Sequence, residues 1–304
     1  MLASAPPIFQ FSIFNFQFSP HSEISLITCP PAMLIAPLSS GSAGNAYWFE
    51  SDGTAILVDA GLGPRETKKR LEIVGRDIEQ LSAIVLTHEH SDHLHGAEKI
   101  ARKYQIPIYL TRGTLDGSRI DPMETKTVVF ENDSYFTIGE LQIHARRTIH
   151  DAADPACFVI EARDGTRVGI ASDLGHVNGE VLQHLSNCDG LFFEANHDLD
   201  MLRAGTYPWS LKRRIMSRFG HLSNDDSLNA VQRLLGAELK TLCMIHLSQK
   251  NNHESIVRDM CTRLLRRTGA SIDFAIARQF EPTGVFDVAR RRPRTTPQGQ
   301  MSLF

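Results

Sequence analysis

The sequence predicts an α/β protein, a four-layer αββα sandwich. Apolar runs of strand length alternate with helical stretches along most of the chain, which is typical of helices packed against sheets. Helical stretches come early and late, with strand-like runs between them. In addition, polar and reactive side chains follow several of the apolar runs. We therefore expect the active site where the strands end.

Short apolar runs predict the strands. The first, residues 33–38, leads directly into a Ser/Gly loop at 39–45. Runs this short and rich in branched side chains indicate buried strands rather than helices. The other predicted strands are residues 55–58, 83–87, 106–110, 127–130, 141–145, 157–161, 168–171, 191–194, 242–246 and 272–275.

Longer stretches that mix apolar and polar residues predict the helices. They are residues 64–74, 96–104, 178–187, 209–219, 224–236 and 253–268. The helix at 224–236 has a clear start signal, since Asn224 can accept a backbone hydrogen bond as its N-cap. Asp225 and Asp226 follow, and their charge favours the positive end of a helix.

The chain divides into one folded domain and two atypical ends. Residues 33–288 carry the alternating pattern and form the predicted domain. Residues 1–32 are rich in phenylalanine and lack the basic start of a secretory signal. We expect Met33 to be the true start and the preceding residues to be a gene-model artefact or a disordered extension. Residues 289–304 are rich in arginine and proline, which predicts a flexible basic tail.

Cysteine content and charge limit the function classes. Five cysteines without a CxxC pair argue against a disulfide framework and for a reducing, cytoplasmic location. No uncharged apolar run of membrane-spanning length lies in the domain, so we expect no membrane partner. The net charge is −3, and the tail contributes arginines, so the domain itself is acidic. Overall charge therefore gives no support for nucleic-acid binding.

The most informative stretch is His88-Glu89-His90-Ser91-Asp92-His93, which follows the apolar run 81–86. Its ligands share no helix face, which excludes a helical zinc motif. On a tight loop, His88 and His90 can face one metal ion while Asp92 and His93 face another. Zinc, iron or manganese suit such ligands. Ordinary surface or core histidines are the alternative, but so many ligands in so short a stretch have no use in packing.

This motif resembles that of the metallo-β-lactamase fold superfamily. Asp59, His150, Asp173 and His246 match the rest of the superfamily's pattern in order, each beside a strand-like run. The resemblance covers roughly residues 33–288. It implies the αββα fold with its active site at the strand ends.

The resemblance also implies two divalent metal ions, zinc or manganese. The implied ligands are His88, His90 and His150 for one ion and Asp92, His93 and His246 for the other, with Asp173 bridging. Asp59 is expected to orient a ligand histidine by a hydrogen bond, with a simple turn residue as the alternative. A hydroxide held between the ions would be the nucleophile, because metals lower the pKa of bound water.

A narrower resemblance points to the YycJ/WalJ branch, whose members are similar to DNA exonucleases and to small phosphodiesterases of the same fold. It rests on the Ser/Gly loop 39–45 and on residues 194–198, 207–214, 220–224 and 246–252. Together with Asp92, His197 and His221 are candidate catalytic residues, either contacting phosphate or protonating the leaving group. Which of the two histidines acts is open.

Several polar residues are expected to contact phosphate or DNA. Ser40, Ser42 and Asn45 lie on a loop whose glycines let backbone N–H groups approach a phosphate, and a tight hairpin turn is the alternative. Lys212 and Arg214 are expected to follow a DNA backbone, with a solvated helix face as the alternative. Asn224 is expected either to contact phosphate or only to cap its helix.

The tail ends in Gln300-Met301-Ser302-Leu303-Phe304, which resembles the bacterial sliding-clamp-binding motif. Gln300, Leu303 and Phe304 are the expected clamp contacts. A short flexible peptide can place Leu303 and Phe304 in an apolar pocket, and tethering would raise the enzyme's local concentration on DNA.

Taken together, the sequence predicts a cytoplasmic two-metal phosphodiesterase, a DNA exonuclease of 5′–3′ polarity by resemblance, in replication or repair. A small-molecule hydrolase of the same fold, for cyclic phosphodiesters, thioesters or lactones, is one alternative. A non-enzymatic scaffold associated with the clamp is another, and the complete ligand set argues against it.

Overall fold

The structure is a computed structural model that describes residues 33–236 and 238–289. The predictions for residues 1–32 and for the clamp motif at Gln300, Leu303 and Phe304 lie outside the described residues. Within them, no helix combines the length and the apolar character needed to cross a membrane.

Two seven-stranded sheets form the centre of the molecule. The strands of the first half are β1 Met33–Ser39, β2 Ala46–Ser51, β3 Thr54–Val58, β4 Leu81–Val85, β5 Ile108–Thr111, β6 Thr127–Phe130 and β7 Tyr135–Ile138. Those of the second half are β8 Leu141–Arg147, β9 Ala156–Glu161, β10 Arg167–Ala171, β11 Gly190–Glu194, β12 Thr241–Ile245, β13 Asp273–Ile276 and β14 Phe286–Val288.

Both sheets are mixed, and each contains a parallel block. The first has the order β14-β1-β2-β3-β4-β5-β6, and β3 to β6 run parallel. The second has the order β13-β12-β11-β10-β9-β8-β7, and β10 to β13 run parallel. Since β9 is antiparallel to both β8 and β10, the carboxyl end of β8 joins those of β10, β11 and β12 at one edge.

The longer helices cover the outer faces of the sheets, and short helices lie in the loops that follow the strands. Their bounds are α1 Pro64–Ile73, α2 Ser91–Leu94, α3 Ala97–Tyr104, α4 Arg112–Gly117, α5 Gly179–Leu185, α6 Leu199–Ala204, α7 Trp209–Ile215, α8 Asn224–Leu234 and α9 Glu254–Thr268. Ile100 of α3 packs on the first sheet, and Val231 of α8 and Val257 of α9 pack on the second. A third core, containing Tyr47 and Phe158, lies between the sheets. These layers confirm the predicted αββα sandwich.

The predicted elements agree with the structure apart from their ends and a few omissions. The apolar and helical patterns of the sequence did not predict β2, β7, β14, α2, α4 or α6. The prediction that Asn224 is the N-cap of α8 is wrong. Ser223 is the N-cap, and its Oγ accepts a hydrogen bond from Asp226 N at 3.1 Å, while Asn224 is the first residue of the helix.

Candidate metal centre and catalytic cleft

The edge where the strands end brings together all the predicted metal ligands. The motif loop follows β4, His150 follows β8, Asp173 follows β10, and His246 directly follows β12. The loops come close because a glycine permits it. A Cβ at Gly61 would lie 1.9 Å from the backbone oxygen of Asp92. The Asp-Ala-Gly turn after β3 therefore packs directly against the histidine motif.

Three residues at this edge have backbone conformations in the left-handed region. Asp59, Asp173 and His246 have φ values of 59°, 55° and 57°. Aspartate and histidine tolerate this conformation better than branched residues do, but it still costs energy. In each case the strained residue comes within two positions of a strand end. Strain of this kind is concentrated at functional sites.

The potential ligand atoms form overlapping groups. His88, His90 and His150 form one group, and Asp92, His93 and His246 form another, with ligand atoms within 4.8 Å of one another in each. Asp173 joins His88 and His93 in a third group and therefore lies between the first two. The ring nitrogens that face the centre of the cluster, called the inner nitrogens, lie close together. His90 Nδ1 lies 3.0 Å from His88 Nε2 and 3.3 Å from His150 Nε2.

In three of these histidines the other ring nitrogen, called the outer nitrogen, faces away from the cluster and has a partner that orients the ring. His93 Nδ1 lies 2.7 Å from Asp59 Oδ2, His150 Nδ1 donates to Gly220 O at 3.0 Å, and His246 Nδ1 lies 3.0 Å from Glu194 Oε1. An acceptor on the outer nitrogen leaves the inner nitrogen's lone pair free for a metal.

An inner nitrogen without a partner shows that the residues fit a metal ion. His246 Nε2 is buried, has no hydrogen-bond partner among the described residues, and lies 3.7 Å from Asp92 Oδ2. A buried polar atom of this kind is costly unless something else satisfies it. Imidazole and carboxylate donors around it suit a divalent transition metal.

The electrostatics of the cluster favour bound positive charge. Burial opposes the charge of Asp173, but His246 and His93 outweigh it and hold the pKa of Asp173 well below its usual range. Burial also opposes protonation of His93, but Asp173 and Asp59 raise its pKa well above the ordinary value. An environment that stabilises charge on a buried histidine stabilises a bound cation for the same reason.

Glu194, at the end of β11, is a site residue that the sequence analysis did not identify. It is fully buried, and its Oε1 accepts from both His221 Nδ1 at 2.8 Å and His246 Nδ1 at 3.0 Å. Burial opposes its charge, but His221 and the hydrogen bonds lower its pKa to about 2. The sequence signal was an acid at the end of a wholly apolar strand, where a charge needs partners.

The two candidate catalytic histidines differ in position. His221 lines the cleft, and although burial opposes its charge, Glu194 raises its pKa. His197 is buried, its two ring nitrogens have no hydrogen-bond partner among the described residues, and burial lowers its pKa to about 4. His221 is thus the histidine that can present a proton in the cleft.

The cleft has a volume of about 350 Å³, and two of the predicted phosphate contacts line it, Ser42 and Arg214. Arg214 Nε donates to Asp151 Oδ2 at 2.5 Å, so a second carboxylate that the sequence analysis missed lies at the rim. The sequence feature that could have indicated Asp151 is its position directly after the predicted ligand His150.

Two of the predicted phosphate contacts on the Ser/Gly loop, Ser40 and Asn45, are wrong. The loop joins the antiparallel strands β1 and β2 and is therefore a hairpin turn, which was the alternative. Asn45 is buried and closes this turn, with Oδ1 accepting from Gly41 N at 2.8 Å. Ser40 is buried too, and its Oγ accepts from His246 N at 2.7 Å. Both side chains support the site from behind and are not free to contact DNA.

The predicted DNA or phosphate contacts of Lys212 and Asn224 are also wrong, because both side chains are buried. Lys212 is buried, and its Nζ donates to Arg203 O at 2.6 Å and Gly205 O at 2.7 Å, which anchors α7 to the end of α6. Asn224 is buried and hydrogen bonded to Asn252. Neither side chain is available to a DNA backbone, because the polar groups of both are hydrogen bonded inside the protein.

The contacts of Asp59 support the expectation that it orients a ligand, and they predict the effect of Asp59→Asn. Asp59 Oδ1 accepts from Thr87 N at 2.9 Å, and an amide oxygen can keep that bond. An amide nitrogen facing His93 would instead donate, which places the proton of His93 on the metal-facing nitrogen. We expect metal affinity to fall by about 10- to 100-fold, as for other partners of ligand histidines.

Isothermal titration of metal-free protein with Zn²⁺ or Mn²⁺ measures this effect. Asp77→Asn is the matched control, since Asp77 caps a short helix on the surface and should leave affinity unchanged. Wild-type affinity in Asp59→Asn would contradict the orienting role.

Comparison with known proteins places these features in a family. Residues 54–247 match the model described as the β-lactamase superfamily domain. The chain is 35% identical to exodeoxyribonuclease WalJ of Streptococcus pneumoniae over 79% of its own length and 91% of that protein. It is 33% identical to exodeoxyribonuclease YycJ of Bacillus anthracis over 80% of its length and 92% of that protein.

A solved structure agrees on the fold. The metallo-β-lactamase fold protein YhfI of Bacillus subtilis superimposes with a TM-score of 0.62 at 20% identity, covering 84% of this chain and 99% of that one. At this identity the likeness concerns the fold alone.

Proposed function

The chain belongs to the metallo-β-lactamase fold superfamily, and on this premise we propose that it is a metal-dependent exodeoxyribonuclease. It is a metal-dependent hydrolase with the fold and ligand chemistry of the family. The observation that carries the proposal is the pair of ligand groups that meet at Asp173 in a cleft beside the exposed Arg214. Relatives that match over about four fifths of the chain are named exodeoxyribonucleases, which supports DNA as the substrate.

The centre is proposed to hold two divalent ions, zinc or manganese. His88, His90 and His150 would hold one, Asp92, His93 and His246 the other, and Asp173 would bridge them. Bound metals would supply a strong nucleophile at neutral pH by lowering the pKa of water, and would neutralise the phosphodiester.

The chain's own side chains perform the remaining steps. Arg214, which is hydrogen bonded to Asp151, binds a phosphate of the strand, and Ser42, which also lines the cleft, donates a hydrogen bond to it. His221 gives its Nε2 proton to the departing sugar oxygen, while Glu194 accepts from its Nδ1 and keeps the ring in place. Asp59 orients His93 in the same way.

The finer features of the function follow the resemblance. We place residues 33–288 as the hydrolase domain, with 5′–3′ polarity and a cytoplasmic role in replication or repair. The tail 289–304 would tether the enzyme to the sliding clamp through Gln300, Leu303 and Phe304. Saturable binding of a tail peptide to the clamp, abolished when Leu303 and Phe304 become alanine, is the expected result.

A small-molecule phosphodiesterase is the second candidate, and the size of the cleft favours it. A cleft of about 350 Å³ can enclose most of a small diester without a polymer. The exposed arginines of the α7 region favour the first candidate, because a small diester has no use for charge spread along a surface.

One assay separates the two candidates. Metal-free protein is reloaded with Mn²⁺ or Zn²⁺ and given linear duplex DNA labelled at either end, with a small cyclic phosphodiester in parallel. Stepwise loss of nucleotides from the 5′ end, absent in Asp92→Ala, supports the exonuclease and its polarity. Intact DNA with turnover of the small diester would replace it with the second candidate.

A further inference from the structure

We propose that Tyr207, Leu211 and Ile215 form an apolar wall that binds the base of the terminal nucleotide, so that the enzyme cuts an unpaired end. This inference rests on the proposed function and names the form of DNA that the same site accepts. A duplex would then be degraded only as fast as its end frays.

The lining of the cleft contains two unlike sets of side chains. Asp92, Asp173 and His246 of the polar cluster belong to one, and Tyr207, Leu211 and Ile215 form the other. Leu211 and Ile215 are one helical turn apart, so they lie on the same face of α7. A metal-hydrolase site needs the first set for the phosphate. The apolar side chains cannot bind the phosphate, and Tyr207 suits the flat face of a base, because aromatic side chains stack bases of any sequence.

The apolar wall bears on whether the end is paired. A base that lies against Tyr207, Leu211 and Ile215, with its phosphate at the polar cluster, has left the stack of a duplex. Unstacking and unpairing a base costs a few kcal/mol, and least where the base is already single-stranded or mismatched. We therefore expect the terminal base pair to open before the bond is cut.

Positive charge surrounds the apolar wall. Lys250 Nζ lies 5.4 Å from the centre of the Tyr207 ring, and Arg214 lines the cleft from the same helix as Leu211. The segment 209–220 carries four basic residues and no acid. Exposed Arg213 and Arg218 thus extend the positive surface beyond the cleft. This combination of an aromatic ring and cations is typical of single-strand binding.

The wall is held in place before substrate arrives. Buried Lys212 ties α7 to the carbonyls of Arg203 and Gly205 at the end of α6. This explains a buried lysine in an otherwise exposed basic run. A preformed wall loses little conformational freedom on binding, which improves affinity.

The first test varies the ring and the base together. Oligonucleotides carry either a normal terminal nucleotide or an abasic one, and kcat/KM is measured for each. Wild type should prefer the normal end by about 5- to 150-fold, the range for one stacked base. Tyr207→Leu should lose most of this preference and Tyr207→Phe should keep it. Tyr135→Leu, a change at an exposed tyrosine on β7, should behave as wild type.

The second test varies the pairing of the end. A terminal mismatch should be cut faster than a G·C pair, and a terminal pair with its strands covalently crosslinked should resist. Equal rates on crosslinked and mismatched ends, or an unchanged base preference in Tyr207→Leu, would overturn the inference. Failure of the proposed function looks different, because wild type would then degrade none of these oligonucleotides.

Discussion

Asp173→Asn should abolish DNA degradation while leaving the protein folded. Asp173 lies between the two ligand groups, with Oδ2 3.0 Å from His93 Nε2 and Oδ1 3.5 Å from His246 Nδ1. Replacing its charge removes the carboxylate expected to bridge the ions. Loss of about 4 kcal/mol of transition-state stabilisation corresponds to roughly a thousandfold fall in kcat. End-labelled DNA and metal analysis of the purified variant measure the two effects together.

The fold should survive, because asparagine keeps the shape of the side chain and removes a buried charge. Asp116→Asn is the control, an exposed aspartate on α4 whose pairing with Arg112 spans 3.9 Å. Surface pairs of this kind contribute little, so its activity and metal content should match wild type. Asp173→Asn with more than a tenth of wild-type activity and a full metal complement would contradict the bridging role.

The sequence predicted the strands that carry the site because their signal is local. Residues 190–194 and 241–245 are buried throughout, and a continuous apolar run indicates such a strand without knowledge of its neighbours. β14 could not be found in this way. Its three residues form a strand only by pairing with β1, which lies more than 240 residues earlier. Pairing over such a separation leaves no periodic pattern.

The family resemblance predicted the side chains that the structure brings together, because they stand in the expected order along the chain, each beside a strand-like run. It did not predict the residues that support them. Ser40 and Asn45 were expected at the phosphate, yet both are buried behind His246 and His93. The same polar side chain can face a ligand or hold the residue that does. The choice depends on which way the loop turns, and residue type carries no information about that.

Lys212 shows the same limit for charge. It stands in a basic run with Arg213 and Arg214, which favoured a solvated face or DNA contact. The helix that contains the run packs against α6, so one of its three charges faces inward. Buried lysine is rare because its charge needs partners. Two backbone carbonyls provide them here, and only the tertiary structure shows that they are in place.

His221→Ala should slow DNA degradation by about 100- to 10,000-fold, the usual contribution of a general acid. His221 is the candidate that faces the cleft, with Glu194 accepting from its Nδ1 at 2.8 Å. The sugar oxygen of DNA is a poor leaving group that needs a proton, whereas 4-nitrophenolate does not. The variant should therefore hydrolyse methyl 4-nitrophenyl phosphate at nearly the wild-type rate. The measured quantity is the ratio of the two kcat values.

This ratio separates proton donation from a structural role. A histidine that only positions the metals would slow both substrates equally when it is removed, and that result would contradict the assignment. His197→Ala is expected to show no such difference between substrates, because His197 is buried with a pKa of about 4. His176→Ala, at an exposed histidine beside Gly175 and outside the cleft, should match wild type on both. A substrate difference confined to His221 would resolve which of the two histidines protonates the leaving group.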